Sequence, residues 1–317
     1  MAMQTTLSED DFAEILSQYD LGEYRGFEKF ATGPVQTTVL LFTNLGKYVL
    51  RYYENRTEKH VLFEVNLVNH LRKHGYPVPA IIKNSSGDFY GTYKSKPYSV
   101  IEYVEGEHLH NPNDCFDEAQ LSNVVEVVAR LHVLTQNYNP VNLTDREEFD
   151  AVYCLGEYKK RTRTKDKEAR ETWIKSRLGE LEFPADLPRA ICHADLNYGN
   201  FLFRDGRIAA VLDFDVSFHT AVIYDVASLL YWWGGSLKSG FNAERASLIV
   251  RQYLRHRSLS EPEKKHIYDA LKLITLLGIG WSEEGDFEES EKSIEHLTTL
   301  GRNGFYDALF GGKKTLF

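Results

Sequence analysis

The sequence predicts an α+β fold in two lobes, and three observations predict it. The chain has 317 residues, more than one simple core accommodates and suited to two packed units. Its first third alternates β-rich segments and turn signals around a single helical stretch. Beyond Val104 the pattern turns mainly helical. The expected lobes are therefore residues 1–104 and 105–317.

Ser8 can cap a first helix in which Phe12, Ile15, Leu16 and Tyr19 fall at helical spacing and make one buried face. Three segments follow, Tyr24 to Ala31, Val35 to Thr43 and Lys47 to Tyr53, rich in β-branched and aromatic residues. Gly33-Pro34 and Asn44-Leu45-Gly46 separate them, which reads as an antiparallel meander. A helix over about Glu58 to His74 turns Leu62, Val65, Val68 and Leu71 inward, with Gly75 as its stop and Pro77 beyond. Strands near Asp88 to Tyr93 and Tyr98 to Val104 complete the small sheet.

Polar residues from Glu105 to Asp114 read as a linker into a helix over Asp117 to Gln136, whose Leu121, Val124, Val125, Val128 and Leu131 face inward. The highly charged stretch from Asp145 to Gly179 reads as solvated helix. Short strands return at Ala190 to His193, Asn200 to Phe203 and Arg207 to Leu212, with Asp205-Gly206 as a hairpin turn. The rest, from Ala221 on, reads as helices separated by Gly, Ser and Pro.

Composition excludes several classes. Hydrophobic residues at 43% and charged residues at 26% are those of a folded globular chain. A net charge of −9 argues against a nucleic-acid surface, which needs a basic stripe to displace counterions. Three cysteines without paired spacing suggest neither a disulfide framework nor a zinc knuckle. Met1 to Asp11 lacks the basic start and apolar run of a signal peptide, and no stretch reaches the roughly 18 apolar residues of a membrane span. A cytoplasmic location and no membrane partner are expected.

The chemistry is concentrated in His193-Ala194-Asp195-Leu196-Asn197-Tyr198-Gly199-Asn200 and in Val211-Leu212-Asp213-Phe214-Asp215. A carboxylate is followed five residues later by a carboxamide, and 18 residues later by a second carboxylate just past a hairpin strand. Phosphoryl transfer needs such groups: one carboxylate to accept the proton of the attacking hydroxyl, and oxygen ligands for the magnesium that screens the triphosphate. Either aspartate alone would read as a turn cap; together, in this strand context, they point to a site. No Walker-A phosphate loop occurs, which removes the main rival nucleotide fold.

The run His193 to Asn200 resembles the catalytic loop of the aminoglycoside phosphotransferase and homoserine kinase family, a small-molecule branch of the protein-kinase-like fold. That loop reads His, a small residue, Asp, four variable residues and Asn, with a metal-binding Asp downstream; His193, Asp195, Asn200 and Asp213 match. Protein kinases have Gly where this chain has Asp215, which argues against a protein substrate. The resemblance spans roughly Leu21 to Trp233.

It implies ATP and Mg2+ as cofactors, Asp195 as the catalytic carboxylate, and Asn200 and Asp213 as metal ligands. It implies that Gly33 lies in the loop over the phosphates, and that Glu102 and Val104 offer backbone groups to adenine. Arg51 falls where the fold usually has a phosphate-holding lysine, with Glu64 as its ion-pair partner. Arg keeps the charge but changes shape and hydration, and Lys47 on the same strand face is a competing phosphate ligand. His132, Asp225 and His193 are expected to support the loop. Tyr231-Trp232-Trp233 could line an acceptor pocket or fill the core.

Tyr48-Val49-Leu50-Arg51-Tyr52 and His74-Gly75-Tyr76-Pro77-Val78-Pro79 look most like bacterial homoserine kinases. The expected activity is transfer of the γ-phosphate to a small alcohol, L-homoserine first and an aminoglycoside or other antibiotic second. A catalytically silent kinase-like binding protein and a metal-dependent hydrolase are the competing classes.

Overall fold

The computed structural model describes residues 5–30, 36–109, 117–139, 150–161, 165–281 and 287–311. Gly33 lies outside them. Two compact units emerge, the first built on Met1–Glu107 and Leu202–Asp215, the second on His108–Tyr138, Glu147–Phe201 and Val216–Phe317.

The first unit opens with α1 (Glu9–Leu16), where Ser8 and Asp11 cap each other's backbone N–H groups. The meander follows as β1 (Tyr24–Lys29), β2 (Thr37–Thr43) and β3 (Lys47–Tyr52). Helix α2 (Glu58–Lys73) is next. Gly75, at φ +69°, takes the left-handed conformation that ends it, which is why the chain turns back there rather than winding on. The short β4 (Ile81–Ile82), β5 (Gly91–Tyr93) and β6 (Lys96–Glu102) complete a sheet of order β1-β2-β3-β6-β4, with β5 paired to β6. Phe12, Ile15 and Leu16 of α1 pack against Leu41, Leu50, Tyr52, Tyr98 and Val100, so the helical face read from the sequence meets the strand face it needs.

A three-stranded sheet of order β10-β9-β7 joins β7 (Glu107–His108) to the hairpin β9 (Phe201–Arg204) and β10 (Arg207–Val211). Val211 N donates to Pro77 O at 2.7 Å, tying this late hairpin to the loop after α2. Local pattern cannot show that grouping.

The second unit is helical around one small pairing. Helix α3 (Glu118–Thr135) begins at Asp117, whose carboxylate accepts from Ala119 N and Gln120 N. Helices α4 (Ala151–Arg161) and α5 (Lys167–Leu178) are not wholly solvated as their charge suggests: Cys154, Tyr158, Ile174 and Leu178 are buried. Strand β8 (Arg189–Cys192) pairs antiparallel with β11 (Phe218–Ala221). Helices α6 (Ile223–Trp233), α7 (Ala243–Tyr253), α8 (Glu261–Trp281) and α9 (Phe287–Phe310) follow. Among the described residues, no helix is long and apolar enough to cross a membrane.

Candidate active site

In the second unit the loop after β8 is organised around Asp195. Asn197 Nδ2 donates to Asp195 Oδ1 at 2.7 Å and Asn200 Nδ2 to Asp195 Oδ2 at 3.0 Å, so both carboxylate oxygens are oriented. Asn200 Nδ2 also donates to Asp195 O at 2.8 Å. Asn200 does not start the strand, as its sequence suggests. The Asn197 side chain accepts from Gly199 N and closes a short 3-10 turn over Tyr198–Asn200, so β9 begins one residue later.

Beneath the loop lies Asp225 of α6, fully buried. Its carboxylate accepts from His193 N at 2.7 Å and Ala194 N at 3.0 Å, and pairs with His132 Nε2 at 3.1 Å. Ala194 sits at φ +68°, a left-handed conformation that costs a non-glycine residue on the order of 1–2 kcal/mol. Asp225 holds the strained peptide in place, one residue before Asp195. His132 is held from its other side by Tyr253, whose hydroxyl lies 2.7 Å from Nδ1. His193, also fully buried, accepts at Nδ1 from Asp195 N at 3.3 Å. Trp233 Nε1 donates to Leu196 O at 2.8 Å and its ring packs edge-on to Phe201. Of the aromatic trio it is therefore the core member that pins the loop, while Tyr231 and Trp232 are half-buried.

His132, Cys192 and Asp225 bring one ligand atom each within 4.8 Å of one another. Their donors are already engaged, and burial pushes the Cys192 thiol well up from its ordinary value. A protonated thiol is a poor metal ligand, so the trio reads as a structural brace.

The first unit carries a second constellation. Arg51 on β3 places Nη2 2.6 Å from Asp213 Oδ1 and 3.3 Å from Asp215 Oδ2, while the expected partner Glu64 is 4.0 Å from Nη1. The Glu64 carboxylate instead accepts from Tyr53 OH at 3.1 Å. Asp215, 5% exposed, also pairs with Arg56 Nε at 2.5 Å and accepts from Gln36 Nε2 at 2.9 Å. Lys47 is exposed and leans over the Tyr103 ring at 5.4 Å. Glu102 N donates to Ala80 O, and the Glu102 carboxylate accepts from Ala80 N and pairs with Arg72. Val104 follows β6 and borders an open 890 Å³ pocket with Glu102, Tyr103 and Lys47.

Burial opposes the charge on Asp215, but Arg51 and Arg56 overcome it and lower its carboxyl from 3.8 to about 2. Glu54 is likewise lowered from 4.5 to about 2, with Lys96 and the Thr37 hydroxyl outweighing burial. Both groups bind protons less readily folded than unfolded. Their stabilisation is therefore complete above about pH 4.5 and lost as pH falls through about 2. For Asp215 the shift corresponds to about 2 kcal/mol. Urea unfolding between pH 6 and pH 2 should show this loss, and it should shrink in Asp215→Asn.

Sequence reasoning missed Asn197, Tyr253, Arg56 and Gln36 as members of these clusters. Asn197 carried a signal, an amide two residues from a catalytic-type aspartate; the others carried none. Asn200 Oδ1 in the second unit and, separately, Asp213 Oδ2 in the first are oxygen atoms that no described hydrogen bond takes, each of the hard donor type a divalent cation accepts.

Comparison with known proteins identifies the family. Residues 28–258 match the model of the phosphotransferase enzyme family. A homoserine kinase of Bradyrhizobium diazoefficiens is 30% identical over 274 residues, covering 83% of this chain and 80% of its own length. Among solved structures, the amicoumacin kinase hAmiN superposes with a TM-score of 0.68 at 17% identity, covering 91% of this chain and 96% of that one. A microcompartment-associated aminopropanol kinase gives 0.66 at 17%, covering 93% and 94%. At that identity the structures establish the fold, the α+β protein-kinase-like fold of small-molecule kinases. With a family model matched over most of its length, the chain belongs to the phosphotransferase enzyme family and is a small-molecule kinase.

Proposed function

We propose that this kinase transfers the γ-phosphate of ATP to the side-chain hydroxyl of L-homoserine in the cytoplasm. The observation that carries the acceptor is the 30% identity with a homoserine kinase across 83% of the chain. The Asp195 carboxylate, oriented by Asn197 and Asn200, accepts the hydroxyl proton as the oxygen attacks. A bond forms from that oxygen to the γ-phosphorus, the bond from phosphorus to the bridging oxygen breaks, and ADP leaves. Mg2+ bound with the nucleotide neutralises triphosphate charge, and the Asn200 carboxamide oxygen and the Asp213 carboxylate are the groups that would hold it.

Arg51 supplies the fixed positive charge, with Glu64 behind it, that other members supply with lysine. Glu102 and Val104 offer backbone groups to adenine; since Glu102 N already donates to Ala80 O, Glu102 would contribute its carbonyl. Gly33 is assigned to the loop over the phosphates, where a missing side chain lets the backbone come close. Residues 1–104 are assigned to nucleotide binding and 105–317 to catalysis, with Leu202–Asp215 of the latter grouping with the first unit. Among the described residues, the thiols of Cys154 and Cys192 are free and buried, which suits a reducing compartment.

ADP release measured with Mg-ATP across homoserine, other amino alcohols and aminoglycosides tests the acceptor. Homoserine should give kcat/KM on the order of 10⁴ M⁻¹s⁻¹ or more. Turnover with aminoglycosides alone would favour antibiotic modification, and no ADP release with any alcohol would favour a silent binding protein.

A further inference from the structure

Two departures from the kinase pattern meet in space. Arg51 stands where lysine is usual and Asp215 where protein kinases have glycine, and the structure pairs them: Arg51 Nη2 lies 3.3 Å from Asp215 Oδ2. The same nitrogen is closer, at 2.6 Å, to Asp213 Oδ1. Arg51 therefore occupies the carboxylate assigned above to the cation and is an internal competitor for it.

The two carboxylates differ in freedom. The Asp213 side chain is 42% exposed, and its only described ion pair is with Arg51. The Asp215 side chain is 7% exposed and fixed by Arg56 at Oδ1 and by Gln36 at Oδ2. Gln36 is itself fixed, since its Oε1 accepts from Glu54 N at 2.7 Å. Of the two acceptors at Arg51 Nη2, Asp213 is the more exposed, and Asp215 is anchored by two further side chains, Arg56 and Gln36. Arg51 Nη2 carries two N–H donors and stands between both carboxylates, so the guanidinium can lean from one to the other without leaving its place.

The charge count fits. Arg51 and Arg56 face Asp213, Asp215 and Glu64, three carboxylates against two guanidiniums, so the cluster has room for added positive charge. A cation arriving at Asp213 repels Arg51, which must keep a partner because its side chain is only 11% exposed. Asp215 is that partner, already within reach.

Building on the reading that Asp213 holds the cation, we propose that Asp215 is a positioning residue: it takes Arg51 over from Asp213 and so frees Asp213 for a divalent metal ion. Because a competing internal contact lowers apparent affinity by the fraction of competent protein, the hand-over appears as metal affinity.

The test is Mn2+ binding to the nucleotide-free full chain, read from the free-Mn2+ electron paramagnetic resonance signal, with folding of each variant checked by circular dichroism. Asp213→Asn should abolish binding. Asp215→Asn should weaken it about tenfold and Arg51→Met should tighten it about tenfold, a usual size for coupling between sites. The double variant should match Arg51→Met alone, because Asp215 acts only through Arg51. Unchanged binding in Asp213→Asn overturns the underlying reading and the proposal with it. Lost binding there, with no response to Asp215→Asn, or with Asp215→Asn still weakening binding in the Arg51→Met background, overturns the proposal alone. Should Asp215→Asn not fold, Arg51→Met decides: tighter binding supports the hand-over, and unchanged or weaker binding overturns it.

Discussion

Asp195→Asn should lower kcat by about 10²–10⁴-fold, the usual contribution of a positioned proton acceptor, with the KM for ATP nearly unchanged. The side chains are of equal size, so the loop keeps its shape. The carboxylate accepts from two amide nitrogens, Asn197 Nδ2 and Asn200 Nδ2. An asparagine turns one of its two ends into a donor and sets N–H against N–H at one of these contacts. That local conflict costs on the order of 1–3 kcal/mol, small beside the loss of a group that can take the acceptor's proton. Steady-state kinetics on the folded variant separates the two effects, because a merely structural lesion would raise KM or lower the melting temperature without a fall in kcat of this size.

Asp225→Ala should produce the largest stability loss in the second unit. The change removes a fully buried carboxylate that serves His193 N, Ala194 N and His132 Nε2 together. Two backbone donors and an imidazole would then lie buried without an acceptor. The expected penalty is on the order of 3–5 kcal/mol, as for breaking a buried polar pair by deleting one member. The left-handed Ala194 would lose the contact that holds it, so the protein that remains folded should also lose activity. Denaturant unfolding with parallel kinetics checks both halves. A variant that is stable but inactive would assign Asp225 to chemistry rather than to support.

Much of the first unit was legible because its signals are local. The meander β1-β2-β3 follows from segments rich in β-branched and aromatic residues broken by Gly, Pro and Asn, and α2 from its apolar stripe ending at Gly75. The catalytic loop was legible for the same reason, since His193, Asp195 and Asn200 lie within eight residues. The short pieces β4 and β7 were not, because strands of two residues are too brief to show a period, and β11 was missed although it is as long as β8 and β9. Their existence depends on what they pair with. The β9-β10 hairpin likewise joins the first unit through long-range contacts, among them the pairing of β9 with β7 and the hydrogen bond from Val211 N to Pro77 O.

The arginine cluster is the clearest case of information absent from local sequence. Arg56 and Gln36 reach Asp215 across separations of 159 and 179 residues, and nothing near either residue announces an acidic partner. The sequence marked Arg51 and Asp215 separately as departures from kinase patterns. Only folding shows that each accommodates the other: the extra carboxylate receives the broader cation. The Arg51–Glu64 pair expected from the resemblance is correspondingly loose at 4.0 Å, because Asp213 and Asp215 compete for the same guanidinium.

The most direct measurement is the fate of the label when the protein is incubated with γ-³²P-ATP, Mg2+ and L-homoserine. The label should move to homoserine as a phosphate monoester, in step with ADP formation, and Asp195→Asn should nearly abolish the transfer. Label recovered only as inorganic phosphate, or a wild-type chain that makes no ADP with homoserine or any other small alcohol, would contradict phosphoryl transfer from ATP by this site.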